Sequence, residues 1–122
     1  MSGRLEGRRI TVGVTGSIAA YKAVLVVRLL LKEGARVRVV MTASAKEFVG
    51  PSTFAGLTGE PVSTDMFDPT SGGERHIAIA TESDLVLVVP ATADMLARLA
   101  GGRADDLLAA TVLAARCPVL AV

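Results

Sequence analysis

Tryptophan is absent from this chain, tyrosine occurs once and phenylalanine three times. A core built from it is therefore aliphatic, and Ala, Val and Leu in quantity suit a sheet covered by helices on both faces. Cysteine also occurs once, which excludes an internal disulfide and fits a reducing compartment. The net charge is only +1, with 20% charged residues, so the electrostatic footprint of a nucleic-acid binder is missing. The basic group Arg4, Arg8 and Arg9 reads as a solubility feature of a frayed N-terminus. No apolar run approaches the roughly 18 residues of a membrane helix. Without a charged n-region and cleavage pattern, the expected address is cytoplasmic. No His, Cys and Asp set has metal-ligand spacing, so no metal site is expected. A Ser-His-Asp arrangement is not credible either, because the best-placed serine, Ser17, belongs to a turn.

What is present is 51% hydrophobic residues in 122, enough for one well-filled domain. The chain is organised around Val12-Gly13-Val14-Thr15-Gly16-Ser17-Ile18-Ala19-Ala20-Tyr21-Lys22. The apolar run Ile10 to Val14 predicts a buried strand. It passes through a glycine turn into a helix that carries Ala23, Val26, Val27, Leu30 and Leu31 toward a core. A strand, a tight turn and a helix N-terminus gather backbone N–H groups and the positive end of the helix dipole, a combination that suits a phosphate. The dinucleotide fingerprint asks for G-x-G-x-x-G and, about 20 residues later, an acidic residue for a ribose. Here the spacing is Gly13-x-x-Gly16-Ser17, and the second strand ends in Val40-Met41-Thr42-Ala43-Ser44 without a carboxylate. The pattern therefore favours a ligand with one phosphate and a polar chain, such as a mononucleotide or FMN, over NAD. Alternatively, Ser17 merely caps a helix.

Further along, Gly34 ends the first helix and Ala35 to Met41 reads as a second strand. Ser44 to Phe48 is expected to be a helical turn capped by Ser44, with Glu47 three residues on. Pro51 opens a helix running to Leu57 and closed by Thr58-Gly59, and Pro61-Val62-Ser63 suggests a short edge strand. Asp65 to Gly73 reads as an irregular loop. A short helix is expected over Glu74 to Ser83 and a doubly covered strand over Asp84 to Val89. Next comes a helix with Met95, Leu96 and Leu99 inward, broken by Gly101-Gly102. Asp105-Asp106 start another, which carries Leu107, Leu108, Val112 and Leu113. Cys117 to Val122 is expected to be a final buried strand. Strands alternating with helices predict an α/β fold, a three-layer α/β/α Rossmann-like, flavodoxin-like parallel sheet in a single domain over residues 1–122. In such sheets ligands gather beyond the carboxyl ends of the strands. Three of those ends carry small or hydroxyl residues: Gly16-Ser17, Thr42-Ala43-Ser44 and Ala91-Thr92-Ala93-Asp94. Each alone reads as helix capping, but three at one edge favour a ligand site.

With these residues assembled, the chain resembles the flavin-containing cysteine decarboxylases, in particular the phosphopantothenoylcysteine decarboxylase domain. The resemblance covers nearly the whole chain. Gly13 to Lys22, Val39 to Thr42, His76-Ile77, Ala80 to Val86, Pro90 to Asp94 and Gly102 to Leu108 carry it. It implies FMN as cofactor, with Gly16, Ser17, Ile18, Thr42, Ser44, Thr92, Ala93, Asp94 and Met95 as its contacts, and His76 as the catalytic histidine facing a neighbour's flavin. It further implies homotrimers, which can assemble into dodecamers, and a phosphopantothenoylcysteine synthetase fused or associated. Two family elements, a Pro-x-Met-Asn substrate segment and a flap with the catalytic cysteine, would follow Val122. By this reading the chain is C-terminally truncated, and Cys117 does not match the flap cysteine.

The reaction implied is FMN-dependent decarboxylation of 4′-phosphopantothenoylcysteine to 4′-phosphopantetheine in coenzyme A biosynthesis, and a peptide's C-terminal cysteine is a second possible substrate. Oxidation of the cysteinyl side chain gives the leaving carboxylate an electron sink that it otherwise lacks. An imidazole, with its ordinary pKa of about 6.5, suits proton transfer near neutrality. Two other readings stay open. One is a flavin prenyltransferase of the same fold, although no prenyl-phosphate pocket is legible, and the other is a non-catalytic flavin-binding module. Lys22 reads as a snorkelling surface lysine, Arg98 and Arg103 as solvated helix ends, and Asp105 and Asp106 as helix-start carboxylates.

Overall fold

The computed structural model describes residues 3–64 and 75–122, with the side chains of Arg75 and His76 outside that description. Four strands, β1 (Arg9–Val14), β2 (Arg36–Met41), β3 (Leu85–Val88) and β4 (Val119–Ala121), form one parallel sheet in the order β2-β1-β3-β4. Five helices accompany them: α1 (Tyr21–Lys32), α2 (Pro51–Thr58), α3 (Arg75–Glu82), α4 (Ala93–Ala100) and α5 (Leu107–Ala114). The chain leaves β1 toward β2 on one side and returns to β3 on the other, so the topological switch lies at β1 and β3. The α/β layering expected from the sequence is the one observed.

Alternation along the strands divides the core in two. Ile10, Val12 and Val14 of β1, with Val37, Val39 and Met41 of β2, pack against Ala23 and Val27 of α1 and Phe54 of α2. On the opposite face Val40 and Val88 meet Ile79 of α3, Met95 of α4 and Leu107 and Leu108 of α5. Gly13 belongs to this second face. A Cβ there would lie 2.2 Å from Leu108 Cδ1, so the missing side chain is what lets α5 settle on β1. The sequence placed Gly13 in the anion-binding turn, whereas its structural role is in packing.

Several local expectations change. Residues from Gly3 onward are not frayed: the Leu5 N–H donates to the Glu33 carbonyl at 2.9 Å, which ties the N-terminal turn to the end of α1. Pro61-Val62-Ser63 contributes a single bridge, Val40 to Ser63, and no strand. Leu96 and Leu113 point outward: Leu96 lies off the stripe that Met95 and Leu99 share on α4, and Leu113 belongs to the exposed last turn of α5, whose first five residues are all buried. The final strand shortens to Val119–Ala121 and is exposed, since it is the outermost strand of the described sheet. Cys117 precedes it and is half-buried. The loop expected over Asp65 to Gly73 lies outside the described residues.

Candidate functional site

At the carboxyl edge of the sheet, the ends of β1 and β2 and the start of α4 converge on a cavity of about 380 Å³. Thr15, Gly16, Thr42, Ala43, Ser44, Thr92, Asp94, Met95, Arg98 and Asp106 line it. That volume falls within the roughly 300–1,000 Å³ of small-molecule sites. Of the residues singled out in the sequence, Gly16, Thr42, Ser44, Thr92, Asp94 and Met95 are brought together here. Ser17, Ile18 and Ala93 adjoin these residues in the chain but are not part of the lining. Ile18 is 83% exposed, and Ala93 opens α4.

The local reason for each position is visible. Ser17 caps the short 3-10 turn Ile18–Ala20, its hydroxyl accepting from the Ala19 N–H at 3.0 Å. Thr92 caps α4 by accepting from the Met95 N–H at 3.2 Å. The turn after β2 is capped by Thr42, which accepts from the Ala45 N–H at 3.2 Å, and not by Ser44 as expected. Ser44 is set instead against the glycine turn: a Cβ on Gly16 would come within 2.4 Å of its Oγ. Gly16 is thus the residue that permits the first two strand tips to close on one another. Across the switch, the Thr15 hydroxyl donates to the Pro90 carbonyl and binds the tip of β1 to the segment after β3.

The remaining wall is charged. Arg98 Nε donates to Asp94 Oδ2 at 3.0 Å, and Nη1 to Asp105 Oδ1 at 2.8 Å, with Asp106 Oδ2 at 3.8 Å. Asp106 also caps α5, its Oδ1 accepting from the Ala109 N–H at 2.8 Å, as a helix-start carboxylate should. Hydrogen bonds to Asp94 and Asp105 raise the Arg98 pKa above its ordinary value. Partial burial works to raise the Asp105 carboxyl, but the hydrogen bond and charge of Arg98, with the charge of Arg103, outweigh it and hold it below the usual carboxylate range. Sequence reading missed Arg98, Asp106 and Thr15 as lining residues. The available signal was the i,i+4 spacing of Asp94 and Arg98, which on a helix makes an ion pair.

His76 lies in the first turn of α3, and the position of its side chain is outside the described residues. Among the described residues there is no group of His, Cys, Asp and Glu able to hold a metal ion, and no helix long and apolar enough to cross a membrane.

A parallel sheet with hydroxyl-bearing strand tips around one cavity is the setting in which comparison with known proteins becomes informative. The family described as Flavoprotein matches residues 1–122. The chain belongs to the flavoprotein family. Within it, the chain is 57% identical over 113 residues to the coenzyme A biosynthesis bifunctional protein CoaBC of Mycobacterium bovis, covering 93% of this chain and 27% of that protein. The chain therefore spans little more than a quarter of the length of such curated relatives. Among solved flavoprotein folds it is similar to the FMN-dependent cysteine decarboxylase SpaF, with TM-score 0.87, 40% identity, and coverage of 94% of this chain and 67% of that one. It is also similar to a PPC decarboxylase mutant complexed with pantothenoylaminoethenethiol, with TM-score 0.75, 25% identity, and coverage of 92% and 64%.

Proposed function

We propose that this chain is the FMN-binding part of an enzyme that decarboxylates 4′-phosphopantothenoylcysteine to 4′-phosphopantetheine in coenzyme A biosynthesis. The observation that carries the reading is the convergence of Thr15-Gly16, Thr42 to Ser44, and Thr92, Asp94 and Met95 on one cavity at the carboxyl edge of the sheet. Hydroxyl donors, small residues and helix starts suit a flat ring on a singly phosphorylated polar chain. Similarity to proteins named CoaBC and to FMN-dependent cysteine decarboxylases supports both cofactor and reaction class.

Gly16, Ser17, Ile18, Thr42, Ser44, Thr92, Ala93, Asp94 and Met95 would hold the cofactor. Helix N-termini carry orphan N–H groups, which give the turn at Gly16-Ser17 the donors a phosphate needs. Thr42, Ser44 and Thr92 bring further hydroxyls to the ring and its chain, and buried Met95 supplies an apolar floor. The chemistry FMN would supply there is reversible two-electron transfer: a hydride equivalent would be taken up as the cysteinyl side chain is oxidised, letting the adjacent carboxylate leave as CO₂, and returned to the decarboxylated group to give 4′-phosphopantetheine. His76 moves a proton at the cysteinyl group, reaching the flavin of a neighbouring copy in a homotrimer that can assemble further into a dodecamer. Completion of the substrate site by segments beyond this sequence, and a fused or associated phosphopantothenoylcysteine synthetase, agree with the bifunctional relatives. The setting proposed is cytoplasmic.

The test uses the intact gene product. It is expected to purify yellow, to release CO₂ from phosphopantothenoylcysteine, and to lose that activity by at least about 100-fold in His76→Asn while still holding FMN. A colourless protein without affinity for FMN would sink the cofactor assignment. Normal turnover by His76→Asn would remove the histidine from the reaction.

A further inference from the structure

Arg98 stands out because three carboxylates on two different elements surround one guanidinium in the cavity wall. Its Nε holds Asp94 in the first turn of α4 at 3.0 Å, while its Nη1 holds Asp105 at 2.8 Å and lies 3.8 Å from Asp106, the cap of α5. Arg103 adds a second hand to the same carboxylate, Nη2 to Asp105 Oδ2 at 3.0 Å, and its N–H donates to the Arg98 carbonyl at 2.9 Å. The Gly101-Gly102 break is therefore folded back on α4 by charge as well as by backbone bonds.

We propose that Arg98 is a positioning residue that clasps the start of α4 to the start of α5, and so fixes the charged wall of the flavin cavity. The proposal rests on the functional reading above. In this arrangement Nε and Nη1 of Arg98 are engaged by Asp94 and Asp105, so its charge is balanced by carboxylates and is not offered whole to a phosphate. Asp94 and Asp106 line the cavity, whereas Asp105 does not. Without the guanidinium, Asp94 and Asp106 would be two like charges facing an anionic ligand, and the loop bearing Asp105 would keep only Arg103 and the backbone bonds at Gly101-Gly102 to hold it to α4. A network of this kind couples its members, so its deletions do not add.

Asp105 makes the idea testable, since it touches the clasp and not the cavity. In the intact protein, FMN affinity is measured by flavin fluorescence for Arg98→Ala, Asp105→Ala and the double variant. Amide hydrogen exchange over residues 91–106 is followed in the flavin-free form, and circular dichroism verifies folding. Each single variant should weaken FMN binding, Arg98→Ala by about tenfold, and the double variant should match Arg98→Ala. Exchange over residues 91–106 should quicken in both. Arg98→Lys, which keeps the charge without the fork, should recover only part of the affinity. Asp105→Ala binding FMN as tightly as the parent, losses that multiply in the double variant, or unchanged exchange would each overturn the clasp. A parent protein that takes no FMN would overturn the proposed function, and the exchange measurement would still decide the clasp.

Discussion

Two glycines carry more of the arrangement than any polar side chain. At Gly16, a methyl group would meet the Ser44 hydroxyl at 2.4 Å and the Ser44 backbone carbon at 2.9 Å, so the two strand tips would have to part. Gly16→Ala is expected to reduce FMN affinity by at least about tenfold and to lower the denaturation midpoint as the tips part, though by less than a core substitution because solvent borders the turn; fluorescence titration and urea unfolding provide the check. At Gly13 the obstacle is Leu108, whose methyl groups lie in the core. Gly13→Ala should therefore cost stability, about 1–3 kcal/mol by urea unfolding, as overpacking of a filled core does. The sequence disclosed both glycines but assigned them one task. Chain order placed them three residues apart in a phosphate-turn pattern, while only the pleat of β1 decides that Gly13 faces α5. The hydroxyls were easier to read: Ser17, Thr42 and Thr92 are caps locally, and their position at strand ends is a matter of element order.

Helix existence was plain from periodicity, but helix orientation was less so. In α4, Met95 and Leu99 are separated by four residues and share the inward stripe, whereas Leu96 lies about 100° around the axis and is exposed. Arg98 was read as a solvated helix end because two of its three acidic partners, Asp105 and Asp106, come from the returning loop, and the fold of a loop is not periodic; only Asp94, one turn back on α4, was within reach of sequence spacing. That loop carries a pH dependence. The Asp105 carboxyl is held below the usual carboxylate range by Arg98 and Arg103, so the folded form binds its proton less readily than the unfolded chain does. Its contribution to stability is therefore complete at neutral pH. It fades as pH falls through the carboxylate range and is gone once Asp105 is protonated in the fold. Asp105→Asn should lower stability slightly at pH 7 and flatten the decline toward acid, as read from urea midpoints taken from pH 7 to 3. Because the group is at the surface, the effect should shrink in high salt.

For the whole molecule, the parallel sheet with helices on both faces follows from alternating apolar strands and amphipathic helices, and the site follows from where such a sheet reverses its order. Phe54 anchors one of the two cores with no exposed surface. Phe54→Ala should cost about 3–5 kcal/mol, a large share of a domain's total stability of about 5–15 kcal/mol, and calorimetry or denaturant unfolding measures it. What the pattern could not say is which elements reach the final strand. Val119 and Leu120 have the composition of a strand with both faces covered, yet among the described residues β4 pairs only with β3, and Leu120 is 53% exposed. A greasy ribbon with one side open invites another ribbon. At the bench, a preparation of these residues alone should cloud on concentration, and Leu120→Lys should raise the threshold at which light scattering begins.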